Sequence, residues 1–173
     1  MSTRNLNEDF MEKVIEDLAW KEVSGSLPWN EQLLDKYKDK VNWKEVSGNR
    51  EILWTNSMIE KYKNRIDWDE LSDSSSWSLF SVEMLEKFKV YWNWTKLSSN
   101  SSIKFNRELL KEFVDKWNWE ELISNWGLNE LYSSDFLKEF KDYIPVSDLQ
   151  SSSLWSRIVE EKKDELIREI RTI

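Results

Sequence analysis

The chain has 173 residues, enough for one domain with a sizeable core. Its net charge of −8, from 25 Lys plus Arg against 33 Asp plus Glu, disfavours non-specific contact with nucleic acid or anionic membrane. Cysteine and histidine are absent, which excludes disulfides, thiolate metal sites, the commonest general base and the commonest metal ligand, and 3 Gly with 2 Pro argue for helix over hairpins.

The first residues, MSTRNLNEDF, carry no apolar run of the kind a secretory signal needs, and no later stretch approaches the ~18 apolar residues of a membrane span. A soluble, cytoplasmic helical protein is therefore expected. The first unit, about residues 5–20, places Leu6 before a cap residue, Asn7. The apolar pair Phe10-Met11 follows, with Val14 and Leu18 completing one helical stripe. Trp20 then opens a short segment with Val23 three residues on.

The second unit, 20–43, repeats this order with Trp29, the cap residue Asn30, the pair Leu33-Leu34, then Tyr37 and Val41. Trp43 with Val46 opens the third unit, 43–68, which contains Trp54, Thr55 and Met58-Ile59. The fourth, 68–94, opens with Trp68 and Leu71 and contains Phe80, Ser81 and Met84-Leu85, with Trp92 on its stripe. The fifth, 94–119, opens with Trp94 and Leu97 and contains Phe105, Asn106, Leu109-Leu110, Phe113 and Trp117. The sixth, 119–146, opens with Trp119 and Leu122 and contains Tyr132, Ser133 and Phe136-Leu137. Val146 with Leu149 continues the series into a C-terminal helix, 146–173. There Trp155 and Ser156 take the aromatic and cap places, and Glu160 falls where the apolar contact should be. The charged tail VEEKKDELIREIRTI reads as an end cap and favours a whole array.

The spacings between the opening residues are 23, 25, 26, 25 and 27. A period in this range marks a stacked repeat, because one supersecondary unit cannot bury its own apolar face. An aromatic just before the cap, packing on the fourth helical residue, is a hydrophobic staple that sets how the chain enters the helix. Five staples stand in register, and ten of the twelve Trp fall on repeat positions, so packing within the stack accounts for them.

The repeat can be written W-x-x-[LV]-S, a loop, then [WF]-[STN]-x-x-[LM]-[LI]-x-K-[YF]-K-x-[KR]-x-[ND]-W. In this form the chain resembles Trp-marked short tandem repeats of bacterial, phage and large-virus proteins, and α-solenoid scaffolds in general. The resemblance covers about residues 5–160. It implies a binding scaffold and no reaction. The unit is far shorter than the roughly 34 residues of a tetratricopeptide repeat. The expected fold is thus all-α: one domain over 1–173, an α-solenoid of about six short repeats. Each repeat has one longer helix plus a short helix or 3-10 turn.

Trp77 and Trp126 stand outside the repeat, in the loops, and are the candidate contacts for a partner, since exposed aromatics anchor interfaces. Lys38, Lys63, Lys89 and Lys141 form a ladder, interrupted by Val114, that could grip phosphates, although the flanking Asp39, Asn64, Asp115 and Asp142 and the net charge of −8 favour a solvated face. The pairs Asp35-Lys36, Glu60-Lys61 and Glu86-Lys87 become Lys111-Glu112 and Lys138-Glu139, a joint sign change that suggests pairing between neighbouring repeats. Isolated glycines make no phosphate loop, no serine has a histidine to activate it, and the acidic pairs lie at repeat positions. The chain reads as non-enzymatic and cofactor-free, a scaffold that binds another protein along an extended face. Direct nucleic-acid or membrane binding is not expected, whereas self-association is compatible with a repeat. A second reading is an acidic inhibitor of phage or mobile-element type that docks on a nucleic-acid-handling complex. A third is glycan binding through exposed Trp.

Overall fold

The computed structural model describes residues 8–171, apart from the side chains of Trp77 and Ser78. Leu6 and Asn7, expected to begin the first repeat, lie outside the described residues. Every regular element among them is helical. Contacts divide the chain into two compact units, Met1–Ser76 and Trp77–Ile173. The first holds α1 (Glu8–Ser26), α2 (Glu31–Tyr37), α3 (Trp43–Gly48), α4 (Asn56–Tyr62) and α5 (Trp68–Ser72). The second opens on a 3-10 turn, Trp77–Phe80, followed by α6 (Val82–Lys87), α7 (Trp94–Ser99), α8 (Arg107–Glu112) and α9 (Trp119–Leu122). A 3-10 turn at Trp126–Leu128, α10 (Ser134–Phe140), α11 (Val146–Leu149) and α12 (Ser153–Arg171) complete it.

The caps expected in the second to sixth repeats are made. Asn30, Thr55, Ser81, Asn106 and Ser133 accept the backbone N–H groups of Leu33, Met58, Met84, Leu109 and Phe136 at 2.7–3.3 Å. The staple residues Trp29, Trp54, Phe80, Phe105 and Tyr132 are buried. A second set of caps starts the short helices: Asn42, Asp67, Asn93 and Asn118 precede the opening Trp and accept N–H groups of its first turn.

The stripe helices are shorter than the sequence pattern suggests. They span six or seven residues, hardly longer than the Trp-led helices beside them. The reason lies at their C-terminal ends. The chain after Tyr37 tightens into a turn, with Lys40 and Val41 both donating to the Tyr37 carbonyl, and Asn42 then caps the next helix. The last stripe residues (Val41, Ile66, Trp92 and Trp117) are buried all the same, from the turn rather than from the helix.

The opening tryptophans hold these turns in place. The indole N–H groups of Trp43, Trp68, Trp94 and Trp119 donate to the carbonyls of Lys38, Lys63, Lys89 and Val114, at 2.8–3.0 Å. Their rings pack on the stripe aromatic of the next repeat: Trp20 on Tyr37, Trp43 on Tyr62, Trp94 on Phe113 and Trp119 on Phe140. The serine that ends W-x-x-[LV]-S links one repeat to the next. Ser24, Ser47 and Ser98 are buried, and each hydroxyl donates to the opening Trp carbonyl four residues back. Each also accepts the backbone N–H of the next cap residue, Asn42, Asp67 and Asn118 respectively, at 2.8–2.9 Å. The Trp-led helices pack in sequence, the C-terminal part of α1 on α3 and α3 on α5 in the first unit, and α7 on α9 in the second.

The two ends depart from expectation. α1 runs unbroken from Glu8 through Trp20 to Ser26 instead of dividing at residue 20. The residue before Trp20 is Ala19, which offers no cap acceptor and is the best helix former, whereas Asn or Asp stands at this place in α3, α5, α7 and α9. The stripe on α1 is consequently exposed. At the other end α12 starts at Ser153, ahead of the expected Trp155-Ser156 start, because the Ser152 hydroxyl accepts the Trp155 N–H at 3.1 Å. No described helix is long and apolar enough to cross a membrane.

Candidate partner-binding surface

Of the two loop tryptophans, Trp126 is 77% exposed. The side chain of Trp77 lies outside the described residues, although its backbone opens the 3-10 turn Trp77–Phe80. The Trp126 loop is built rigidly. Asn125 is buried, its amide donates to the Ser98 carbonyl at 2.7 Å, and its side-chain oxygen accepts the Gly127 N–H at 2.7 Å. A Cβ at Gly127 would stand 3.1 Å from the Ser101 carbonyl oxygen, so the glycine lets the loop lie directly on neighbouring backbone. Leu128 is fully buried on the far side of the turn. Below it the Tyr132 hydroxyl donates to the carbonyls of Leu122 and Asn125, and burial pushes its phenol well above the ordinary range. The backbone is thus fixed on both sides of Trp126, and the indole stands exposed beside it.

Beside it lies an open concavity of about 600 Å³, lined by Trp126, Asn129, Glu130, Ser151–Ser153, Arg157 and Glu160 among others. The start of α12 forms one wall, joined to α9 where the Leu154 N–H donates to the Ile123 carbonyl at 3.0 Å. The lining combines one exposed indole with hydroxyls, an amide, carboxylates and a guanidinium. That mixture suits a peptide or protein edge: an aromatic anchor beside a polar rim.

The lysine ladder has a different character. The Lys63 ammonium pairs with Glu60 at 2.6 Å and that of Lys89 with Glu86 at 2.7 Å, each with a residue three positions back, while Lys38 is exposed. What recurs in this column is the backbone carbonyl that receives the indole N–H. That explains why Val114 can stand where lysine is otherwise found. No group of acidic residues able to hold a metal ion occurs among the described residues.

The sign-swapped columns are joined by one recurrent contact. In the first unit Lys61 of α4 reaches Asp35 of α2 at 2.6 Å and Glu31 at 3.0 Å. In the second, Glu139 of α10 receives Lys111 and Arg107 of α8. The positions match: the residue two past the first apolar-pair member of one helix meets the residue three past it on the next, with charges exchanged. Lys61 and Tyr62 hold the Asp35 carboxyl below its usual value, and Lys111 with Arg107 does the same to Glu139.

Comparison with protein-family models, with curated proteins and with solved structures finds no match to this chain. Of the ten in-register tryptophans, Trp29, Trp54, Trp92, Trp117 and Trp119 are buried and the other five are half-buried. Lys40 and Arg65 lie over the rings of Trp20 and Trp43. One exposed apolar residue escapes the repeat reading altogether. Leu53 is 83% exposed between buried Ile52 and Trp54 and lines a smaller concavity of about 310 Å³ with Pro28 and Trp29. The signal was the extended segment itself, where successive side chains alternate sides and the middle one of three apolar residues must face out.

Proposed function

We propose that the chain is a non-enzymatic repeat scaffold of α-solenoid type that binds another protein. The observation that carries this reading is Trp126, a 77% exposed indole on a hydrogen-bonded turn beside a polar-rimmed concavity of about 600 Å³. A large aromatic costs little conformational entropy to immobilise and is the side chain most often dominant at protein interfaces. An acidic mimic of nucleic acid would need unengaged carboxylates in a row. Asp35, Glu31 and Glu139 are instead taken up by Lys61, Lys111 and Arg107.

The test is photo-crosslinking from Asn129, on the wall of the concavity, in lysate of the source cell or its host, with and without Trp126→Ala. A defined protein adduct is expected. Its yield should fall about tenfold or more in the variant, as for a hot-spot aromatic. An adduct pattern unchanged by Trp126→Ala, or no protein adduct, would overturn the proposal.

A further inference from the structure

Within the first unit the chain carries two complementary surfaces that do not meet. One is the N-terminal part of α1. Phe10, Met11, Val14, Ile15 and Leu18 lie along one face of this helix, and all are exposed, Phe10 by 60% and Ile15 by 62%. Phe10, Met11, Val14 and Leu18 have the spacing of Leu33, Leu34, Tyr37 and Val41 in α2 and the turn after it, where Leu34 and Val41 are buried. The other surface is α2 itself. Leu33 and Tyr37 are less buried than their counterparts on α4, Met58 and Tyr62, which are fully in the core.

The charges agree with the apolar pattern. Between α2 and α4, Lys61 reaches Glu31 and Asp35, and the Tyr62 hydroxyl donates to Asp35 at 2.7 Å. Lys36 and Tyr37 hold the same two places on α2, and Glu8 and Glu12 hold on α1 the places of Glu31 and Asp35. Further along, Lys40 already pairs with Glu16 at 3.5 Å, as Arg65 pairs with Asp39 at 2.8 Å. The Trp20 ring sits 5.5 Å from that of Tyr37, matching Trp43 and Tyr62. The register is thus correct as far as Glu16 and then stops. Because α1 does not break at Ala19, Glu12 is carried along the helix axis about 12 Å from Trp20, at 1.5 Å per residue. Among the described residues the side chains of Glu12 and Lys36 form no ion pair or hydrogen bond.

The geometry points to a second copy of this chain as the occupant of both surfaces. The 8–15 part of α1 from one copy lies on α2 of the other and reciprocally. Phe10, Met11 and Val14 cover Leu33 and Tyr37, and Glu8 and Glu12 receive Lys36 and the Tyr37 hydroxyl. Such a reciprocal exchange is two-fold symmetric and closes. It uses an interface written for neighbouring repeats, made between chains because α1 is too straight to make it within one.

Charge reversal tests this on the full chain by sedimentation velocity. The wild-type chain is expected to be a dimer. Glu12→Lys and Lys36→Glu should each weaken it roughly tenfold, since each sets like charges opposite one another twice per dimer. Both positions are exposed, so circular dichroism should show the fold retained in each variant. Mixing the two single variants should restore dimer. The lysine introduced at position 12 of one chain then meets the glutamate introduced at position 36 of the other, and the native Glu12 and Lys36 meet at the second contact. A wild-type chain that stays monomeric at all concentrations overturns the inference. So does a pair of variants that fails to rescue on mixing while the double variant in one chain is restored, which would place the contact within a single molecule.

Discussion

Two recurrent side chains do different physical work at equivalent places. Ser47 is buried, gives its proton to the Trp43 carbonyl and takes the Asp67 N–H. Removing the hydroxyl takes the acceptor from that part-buried N–H, and a donor left unsatisfied costs up to about 1–3 kcal/mol. Ser47→Ala and Ser98→Ala are therefore expected to lower unfolding free energy by about that much in urea titrations followed by Trp emission. Substitution at exposed Ser26, whose hydroxyl bonds only within its own helix, should change little. The staple indoles divide in the same way. The Trp29 N–H donates to the Ser24 carbonyl at 3.1 Å, whereas the buried Trp54 N–H has no acceptor. Phenylalanine already occupies the Trp54 place at Phe80 and Phe105. Trp54→Phe is expected to stay within about 1 kcal/mol of the wild type, because lost ring contact and the relieved N–H offset each other. Trp29→Phe has only losses and should be the more destabilising of the two. The same urea titration decides the order.

At the scale of elements, one residue before the opening Trp decides whether a repeat is two helices or one. Asn42 and Asp67 each accept two N–H groups of the helix that follows, while Ala19 accepts none and α1 continues. Ala19→Asn is expected to break α1 there, since an Asn cap contributes about 1 kcal/mol and Asn in a helix interior costs about 0.6 kcal/mol relative to Ala. The freed 8–18 segment can then turn back onto its own α2. The measurable results are faster amide exchange at Trp20–Glu22 and loss of the dimer. Slow exchange and an unchanged dimer would show that the cap does not control the break. The stripes, the staples and their five caps were legible in the sequence, because each depends on residues within one helical turn. The second set of caps was legible in its letters, [ND] before W, but its role required knowing that the stripe helix had already ended. The Ser and Asn bridges were hidden for another reason. Ser24 to Asn42 and Asn125 to Ser98 join residues of neighbouring repeats, 18 and 27 positions apart, and a serine at the end of a short helix looks the same in sequence whether it is buried or not. Trp126 could be picked out as off-register, but the turn that carries it is set by Asn125 and Gly127, contacts that periodicity does not report.

At the scale of the whole molecule, one ion contact recurs between neighbouring stripe helices, and the chain uses it with two polarities. Lys61 answers Asp35 in the first unit, and Glu139 answers Lys111 in the second. These contacts make stability depend on pH at both ends of the scale. Asp35 and Glu139 have folded-state values lowered by their cationic partners. Their stabilisation is therefore fully present above the ordinary carboxylate range near pH 4 and is lost as pH falls below it. Tyr62 shifts the other way. Burial, followed by its hydrogen bond to the Asp35 carboxylate, raises the phenol from 10.0 to about 12. A raised value means the neutral phenol is favoured by folding. That contribution is complete below pH 10 and disappears as pH climbs through about 12. Asp35 thus serves both limits, as a carboxylate held by Lys61 in acid and as the acceptor of the Tyr62 proton in alkali. Asp35→Asn is expected to shrink the acid loss and to move Tyr62 ionisation to lower pH, because an amide no longer repels the phenolate. Tyr62→Phe should shrink the alkaline loss and also reduce the acid loss in part, since its hydroxyl helps Lys61 hold Asp35 low. Urea midpoints across the pH range, with absorbance at the phenolate band to time the ionisation, separate the two effects. An alkaline limb untouched by Tyr62→Phe would move the burden to Tyr132, whose phenol is also raised by burial but whose acceptors are carbonyls that cannot titrate.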